Sequence, residues 1–154
     1  MLDKMVRDEM IFYATTNDYS DADRYERFAL ACKLDEKAEE IGGVVRSLVG
    51  QMTRNARPLR ILETASATGL TAVGVTFALA QVSVNHVYTA LDIEENLLRH
   101  AWLRGRGDQF VRGDFERLPF AHSLFDISIM MGAEGYRSKG MFYTEAYRVL
   151  SNCS

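Results

Sequence analysis

At Pro58 the rhythm of the chain changes, and that change narrows the folds open to it. Leu59-Arg60-Ile61-Leu62-Glu63 reads as a strand, opened by a proline that can begin a strand but not continue a helix. The apolar stretch from Gly69 to Gln81 reads as a helix and His86 to Asp92 as a second strand. Glu94 to Arg104 follows as a helix with Leu97, Leu98 and Ala101 inward. Gln109 to Arg112 gives a third strand, Phe125 to Met131 a fourth, and Lys139 to Leu150 a closing helix. Strands alternating with helices of roughly 10–15 residues predict right-handed crossovers and a doubly wound parallel sheet of the α/β class.

Before Pro58 the signals are helical. Leu2 to Tyr13, Asp21 to Leu34 and Asp35 to Met52 are expected as three helices, the last with Ala38, Ile41, Val45, Leu48 and Met52 on one face. Residues 1–57 thus read as an N-terminal helical segment and residues 58–154 as the α/β domain. Gly42-Gly43 weakens the third helix by about 1 kcal/mol per glycine, which fits either close packing or a tolerated weak spot.

With 154 residues the chain has room for one domain. Its 18 basic and 21 acidic side chains give a net charge of -3, so no general pull toward nucleic acid or an anionic membrane is expected. No apolar run approaches the roughly 20 residues that span a bilayer, and the N-terminus lacks a signal-peptide core, so a cytoplasmic location is expected. Cys32 and Cys153 read as reduced thiols rather than a bridge. His86, His100 and His122 stand apart from each other and from the cysteines, and read as surface or strand-end residues; no metal site is expected.

The segment Glu63-Thr64-Ala65-Ser66-Ala67-Thr68-Gly69 leaves a strand, turns through small residues and enters a helix. Small side chains there let backbone approach a ligand, and a helix N-terminus offers unpaired N–H groups. Asp92 ends the second strand, where a carboxylate can accept from ribose hydroxyls. Gly113-Asp114-Phe115 ends the third, offering an acid to an adenine amino group and an aromatic to its face. Phe125-Asp126 opens the fourth strand, whose far end would lie beside the reactive end of such a ligand. Successive parallel strands end at one crevice, so these groups are expected to converge on a nucleoside.

These stretches resemble the class I S-adenosylmethionine-dependent methyltransferases, the group acting on small molecules in particular. The 63–69 segment is similar to that family's acidic-x-G-x-G-x-G loop, and Leu91-Asp92-Ile93 with Leu97-Leu98-Arg99-His100-Ala101 to its second strand and following helix. Gly113-Asp114-Phe115, Leu118-Pro119-Phe120, Ser123-Leu124-Phe125-Asp126 and Tyr147-Arg148-Val149-Leu150 resemble its later motifs in order. The resemblance implies a Rossmann-like sheet in the order 3-2-1-4 and S-adenosyl-L-methionine as cofactor. It places Glu63 near the methionine amino group, the backbone of Ala65, Ala67 and Gly69 under the methionine and ribose, Asp92 on the ribose with Ile93 against the adenine, and Asp114 and Phe115 at the adenine edge and face.

Two departures stand out. Ala65 and Ala67 replace the loop's first two glycines, and a left-handed backbone there would disfavour alanine by about 1–2 kcal/mol. The family's three later strands have no counterpart before Ser154, which would leave the fourth strand at an edge. A second copy or a complementary subunit is expected to cover it. No catalytic residue is singled out. Glu134 and Tyr136 after the fourth strand, and Tyr13 and Tyr19 in the N-terminal segment, are candidates to line a substrate pocket, with solvated loop positions as the alternative reading. Met131-Gly132-Ala133-Glu134 stands where base-directed amino methyltransferases carry an Asn-Pro-Pro-Tyr-like stretch, so nucleic acid is not expected as substrate. The functions left open are a small-molecule methyltransferase, a catalytically inactive subunit that binds or regulates a partner, and a nicotinamide dinucleotide domain.

Overall fold

The computed structural model describes residues 4–16, 18–52, 56–132 and 139–151. The elements in chain order are α1 (Lys4–Thr16), α2 (Ala22–Ala31), α3 (Leu34–Gln51), β1 (Leu59–Thr64), α4 (Leu70–Ala80), β2 (His86–Asp92), α5 (Glu95–Leu103), β3 (Gln109–Arg112), β4 (Ile127–Met130) and α6 (Lys139–Val149). The four strands form one sheet, parallel as the alternating rhythm predicts and in the order β3-β2-β1-β4 that the resemblance implies.

The pleat of β1 explains how the sheet is covered on both sides. Ile61 and Leu62 are both fully buried, on opposite faces. Ile61 joins Val45 and Val49 of α3, Val75 and Leu79 of α4 and Tyr88 of β2. Leu62 joins Leu91, Leu118, Phe125 and Val149 of α6. Burying a side chain of this size contributes about 1.5–3 kcal/mol, so an apolar run at β1 specifies a central strand rather than an edge.

On the first face α3 crosses α4 at two glycines. A methyl group on Gly42 would strike the Gly74 carbonyl, and one on Gly74 would strike the Ala38 carbonyl. Gly43 faces open space, so of the adjacent pair only Gly42 serves the crossing. Close packing is therefore the correct account of the first glycine and not of the second.

Boundaries shift where side chains compete with the backbone. Asp21 stands outside α2 as its N-cap and accepts from the Arg24 N–H at 2.9 Å. Lys33, with φ of 60°, separates α2 from α3. β4 is shorter than expected at its start, because Phe125 pairs instead with the chain leaving α6. The Phe125 N–H donates to the Val149 carbonyl (2.9 Å), and its carbonyl accepts from Ser151 (2.7 Å). Asp126 is held by Arg57 in a bidentate pair (2.6 and 2.7 Å) and accepts from the Arg60 N–H at 2.9 Å. It ties the starts of β1 and β4 together at the opposite end of the sheet from the crevice. Burial opposes its ionisation, but Arg57 and the Arg60 N–H outweigh that and hold its carboxyl well below the usual range.

No helix among the described residues is long and apolar enough to cross a membrane. Cys32 is a free thiol, and Cys153 lies outside the described residues.

Candidate functional site: the crevice at the ends of β1 and β2

In a parallel sheet every strand delivers its carboxyl end to the same edge. Thr64 is in register with Leu91, and Asp92 with Arg112, so the loops after β1, β2 and β3 leave side by side. Glu63, Tyr88 and Asp92 occupy alternating positions that face α4.

The loop after β1 runs through a backbone that alternates in hand. Ala65, Ala67 and Gly69 have φ of 54°, 47° and 77°, whereas Ser66 and Thr68 keep negative φ. The structure thus places both alanines in the left-handed region, at a cost of about 1–2 kcal/mol each. It also explains why glycine persists at the third position. A methyl on Gly69 would lie 2.8 Å from the Arg106 Cβ and 3.1 Å from the Ala101 Cβ, whereas the methyl groups of Ala65 and Ala67 face a cavity.

Three of the loop's own N–H groups are already engaged. Ser66 donates to the Leu91 carbonyl (3.0 Å), Gly69 to the Ser66 carbonyl (2.9 Å), and Ala67 to the Asp92 carboxylate (2.8 Å). The other Asp92 oxygen accepts from the Glu94 N–H at 2.9 Å. Asp92 is 7% exposed, and this burial raises its pKa against the pull of those N–H groups. A carboxylate therefore sits where a phosphate-binding loop would leave its N–H groups open.

Glu63 is deeper still, 1% exposed, with Oε2 accepting from the Tyr88 hydroxyl at 2.9 Å. Burial pushes its pKa up to about 7; the hydroxyls of Thr71 and Tyr88 oppose that rise, and the Asp92 charge adds to it. Glu63, Ala65, Ser66, Ala67, Thr68 and Thr71 line a cavity of about 20 Å³, roofed by Tyr25 and Ala29 of α2 and bounded by Met131. The Ser66 hydroxyl is buried without a hydrogen-bond partner among the described residues. An orphaned hydroxyl, a buried acid and an uncapped start of α4 fit a small zwitterion with hydroxyl groups nearby.

Of the residues expected from the sequence, Glu63, Ala65 and Ala67 line this cavity, and Asp92 reaches it through the Ala67 N–H. Ile93 follows on the surface, 46% exposed. Asp114 stands next to the end of β2, because the Gly113 N–H donates to the Asp92 carbonyl at 2.9 Å; its Oδ1 accepts from the Glu116 N–H. Phe115 packs on the opposite sheet face, edge-on to Phe142 at 6.0 Å. Tyr13 and Tyr19 stack on each other at 5.0 Å and leave Tyr25 to line the cavity. Glu134 and Tyr136 lie outside the described residues. Among the described residues no group of three His, Cys, Asp or Glu side chains is arranged to hold a metal.

One arrangement has no signature in the sequence. Glu26 of α2 receives both Arg106 nitrogens (2.8 and 2.9 Å) and His100 Nε2 at 2.6 Å, and Arg106 Nη1 also donates to the Thr68 carbonyl at 2.9 Å. His100, expected at the surface or a strand end, is instead a buried helix residue, because this acid from α2 satisfies it. The three side chains come from α2, α5 and the turn before β3, so only folding brings them together.

Comparison with known proteins agrees with this geometry. The family model described as a methyltransferase domain matches residues 66–152. A malonyl-[acyl-carrier protein] O-methyltransferase of Erwinia pyrifoliae is 35% identical over 79 residues, 49% of this chain and 28% of that protein. The structure of the citrinin polyketide synthase CMeT domain superposes with a TM-score of 0.65 at 22% identity, covering 74% of this chain and 32% of that one. A SAM-dependent methyltransferase from Thermotoga maritima does so with a TM-score of 0.53 at 21% identity, covering 84% and 53%. The chain thus spans between about a quarter and a half of these relatives' lengths. With the sheet order, the loop after β1 and the acids at the strand ends in place, this chain belongs to the methyltransferase domain family and has the Rossmann-like fold of class I S-adenosylmethionine-dependent enzymes.

Proposed function

We propose that this chain binds S-adenosyl-L-methionine in the crevice at the ends of β1 and β2 and forms the cofactor half of a methyltransferase for a small molecule. The observation that supports this best is the loop geometry, in which Asp92 accepts from the Ala67 N–H of the 65–69 turn and from the Glu94 N–H while Glu63 lies buried behind it. Two carboxylates there suit an ammonium and ribose hydroxyls and repel a pyrophosphate, which disfavours a nicotinamide dinucleotide. Glu63 would meet the methionine ammonium, the start of α4 its carboxylate, and Asp92 the ribose. Asp114 and Ile93 would border the adenine. When bound, the cofactor supplies a methyl group on an already activated sulfonium, so the protein's task is chiefly to align donor and acceptor. Malonyl-acyl-carrier and polyketide methylation in the relatives supports a small-molecule acceptor. A cytoplasmic site of action fits a free Cys32.

Tyr25 and Ala29 of α2 line the cavity beside Glu63, so they would border the methionine end of the cofactor. Titration calorimetry with S-adenosylmethionine is expected to show saturable binding, weakened roughly tenfold or more in Asp92→Ala. No heat at millimolar ligand would remove this reading. That outcome would favour the second one, an inactive subunit that regulates a partner, which the small cavity and the two strained alanines support.

Among the described residues no strand pairs with the outer edge of β4, and Phe125 before it bridges to Leu150. We assign that edge to a second copy or a complementary subunit, since an unpaired apolar strand invites pairing. A monomer by light scattering at micromolar concentration would overturn the assignment.

A further inference from the structure

A buried acid and a buried phenol side by side in the middle of a sheet are costly. Apolar side chains at Glu63 and Tyr88 would fill the same space without desolvating a charge or a hydroxyl. Tyr88 is fully buried on β2, in register with Ile61, and its ring belongs to the apolar cluster between sheet and α4. Its hydroxyl reaches along the sheet toward the crevice and donates to Oε2 of Glu63 at 2.9 Å.

We propose that Tyr88 is a positioning residue for the cofactor: its hydroxyl ties down one oxygen of Glu63 and so sets the direction from which that carboxylate meets the methionine ammonium. The inference rests on S-adenosylmethionine binding in this crevice. Tyr88 does not line the cavity beside Glu63 and acts through Glu63.

The role has a pH signature. Among the described residues the groups that face Glu63 are Tyr88 on β2, Asp92 at its end, the Thr71 hydroxyl of α4 and Tyr25 across the cavity; its neighbour on β4 is the apolar Ile129. Burial holds the Glu63 pKa up near 7, and the Tyr88 hydroxyl pulls it down by favouring the charged form. An ammonium ligand requires the carboxylate ionised, so affinity is expected to climb as pH rises through that value. Losing the hydroxyl would move the climb to higher pH.

Calorimetric titration with S-adenosylmethionine between pH 5.5 and 8.5 tests this. Tyr88→Phe is expected to bind roughly tenfold more weakly at pH 6.5, with its binding midpoint raised by about one unit. Should that variant fail to fold, 3-fluorotyrosine placed at position 88 is a stronger donor and is expected to move the midpoint the other way. Wild-type binding with a midpoint unmoved by either replacement overturns the role of Tyr88 and leaves the cofactor site standing. Absence of wild-type binding at every pH removes both.

Discussion

Glu63→Gln is expected to make the folded protein more stable at pH 8, by on the order of 3 kcal/mol, while removing cofactor binding. Glu63 has a pKa raised by burial to about 7, against an ordinary value of 4.5. Between these values the folded chain holds a proton that the unfolded chain has released, so stability falls as pH rises through the window. Above about pH 7 the whole cost is present, and below about pH 4.5 it vanishes. Glutamine keeps the shape and can still accept from Tyr88, but it carries no charge to desolvate. Urea melts of both proteins at pH 8 and pH 4.5 check this: the gap should be wide at the first pH and close at the second. An equal gap at both would show that ionisation of Glu63 is not what the fold opposes. The trade is the one expected of a binding site, where a destabilising charge is kept because a ligand needs it.

The second large effect runs the other way. Arg106→Met is expected to destabilise the fold by about 3 kcal/mol, because it takes both guanidinium hydrogen bonds from Glu26, which is only 14% exposed and keeps His100, and leaves the Thr68 carbonyl without that donor. Glu26→Met with Arg106→Met together should cost less than the sum of the two single changes, since each single leaves one charge without that partner, while His100 loses Glu26 equally in Glu26→Met and in the double. The two singles and the double measured by urea melts form the cycle; additive costs would mean that the pair is not coupled. Burial opposes ionisation of Glu26, but Arg106 and His100 outweigh it and lower its pKa. Its contribution is therefore present above the ordinary carboxylate value and lost as pH falls through the depressed one. Because Arg106 also holds the Thr68 carbonyl, the same single change loosens the turn over which α2 lies.

The contrast between these two acids shows how far residues in a row can be read. Ile61 and Leu62 announce a central strand by their apolarity, and the small residues after Glu63 announce a tight turn into α4. Those signals are local: a strand's pleat, a proline's missing N–H and a helix's period act over a few neighbours. They were enough for the strands, their parallel pairing and the acids at the strand ends, whereas the sheet order was implied by the family resemblance.

Whether an acid is ionised, and by what it is held, depends on neighbours far apart in the chain. Asp126 was legible as the opening of the fourth strand, away from the crevice, but not its partners Arg57 and Arg60, which bind it there. Glu26 and Arg106 carry no mark of their partnership, and they meet because α2 lies across the turn after β1. Phe115 is turned into the core by Phe142 of α6. The linear pattern was sufficient for the strands and helices, since short-range sterics and alternating burial act within each segment, and the family resemblance implied the order in which the strands pair. Charge states, the latch on α2 and the shape of the cavity awaited packing, since electrostatic energy depends on distance and burial that exist once the layers have closed.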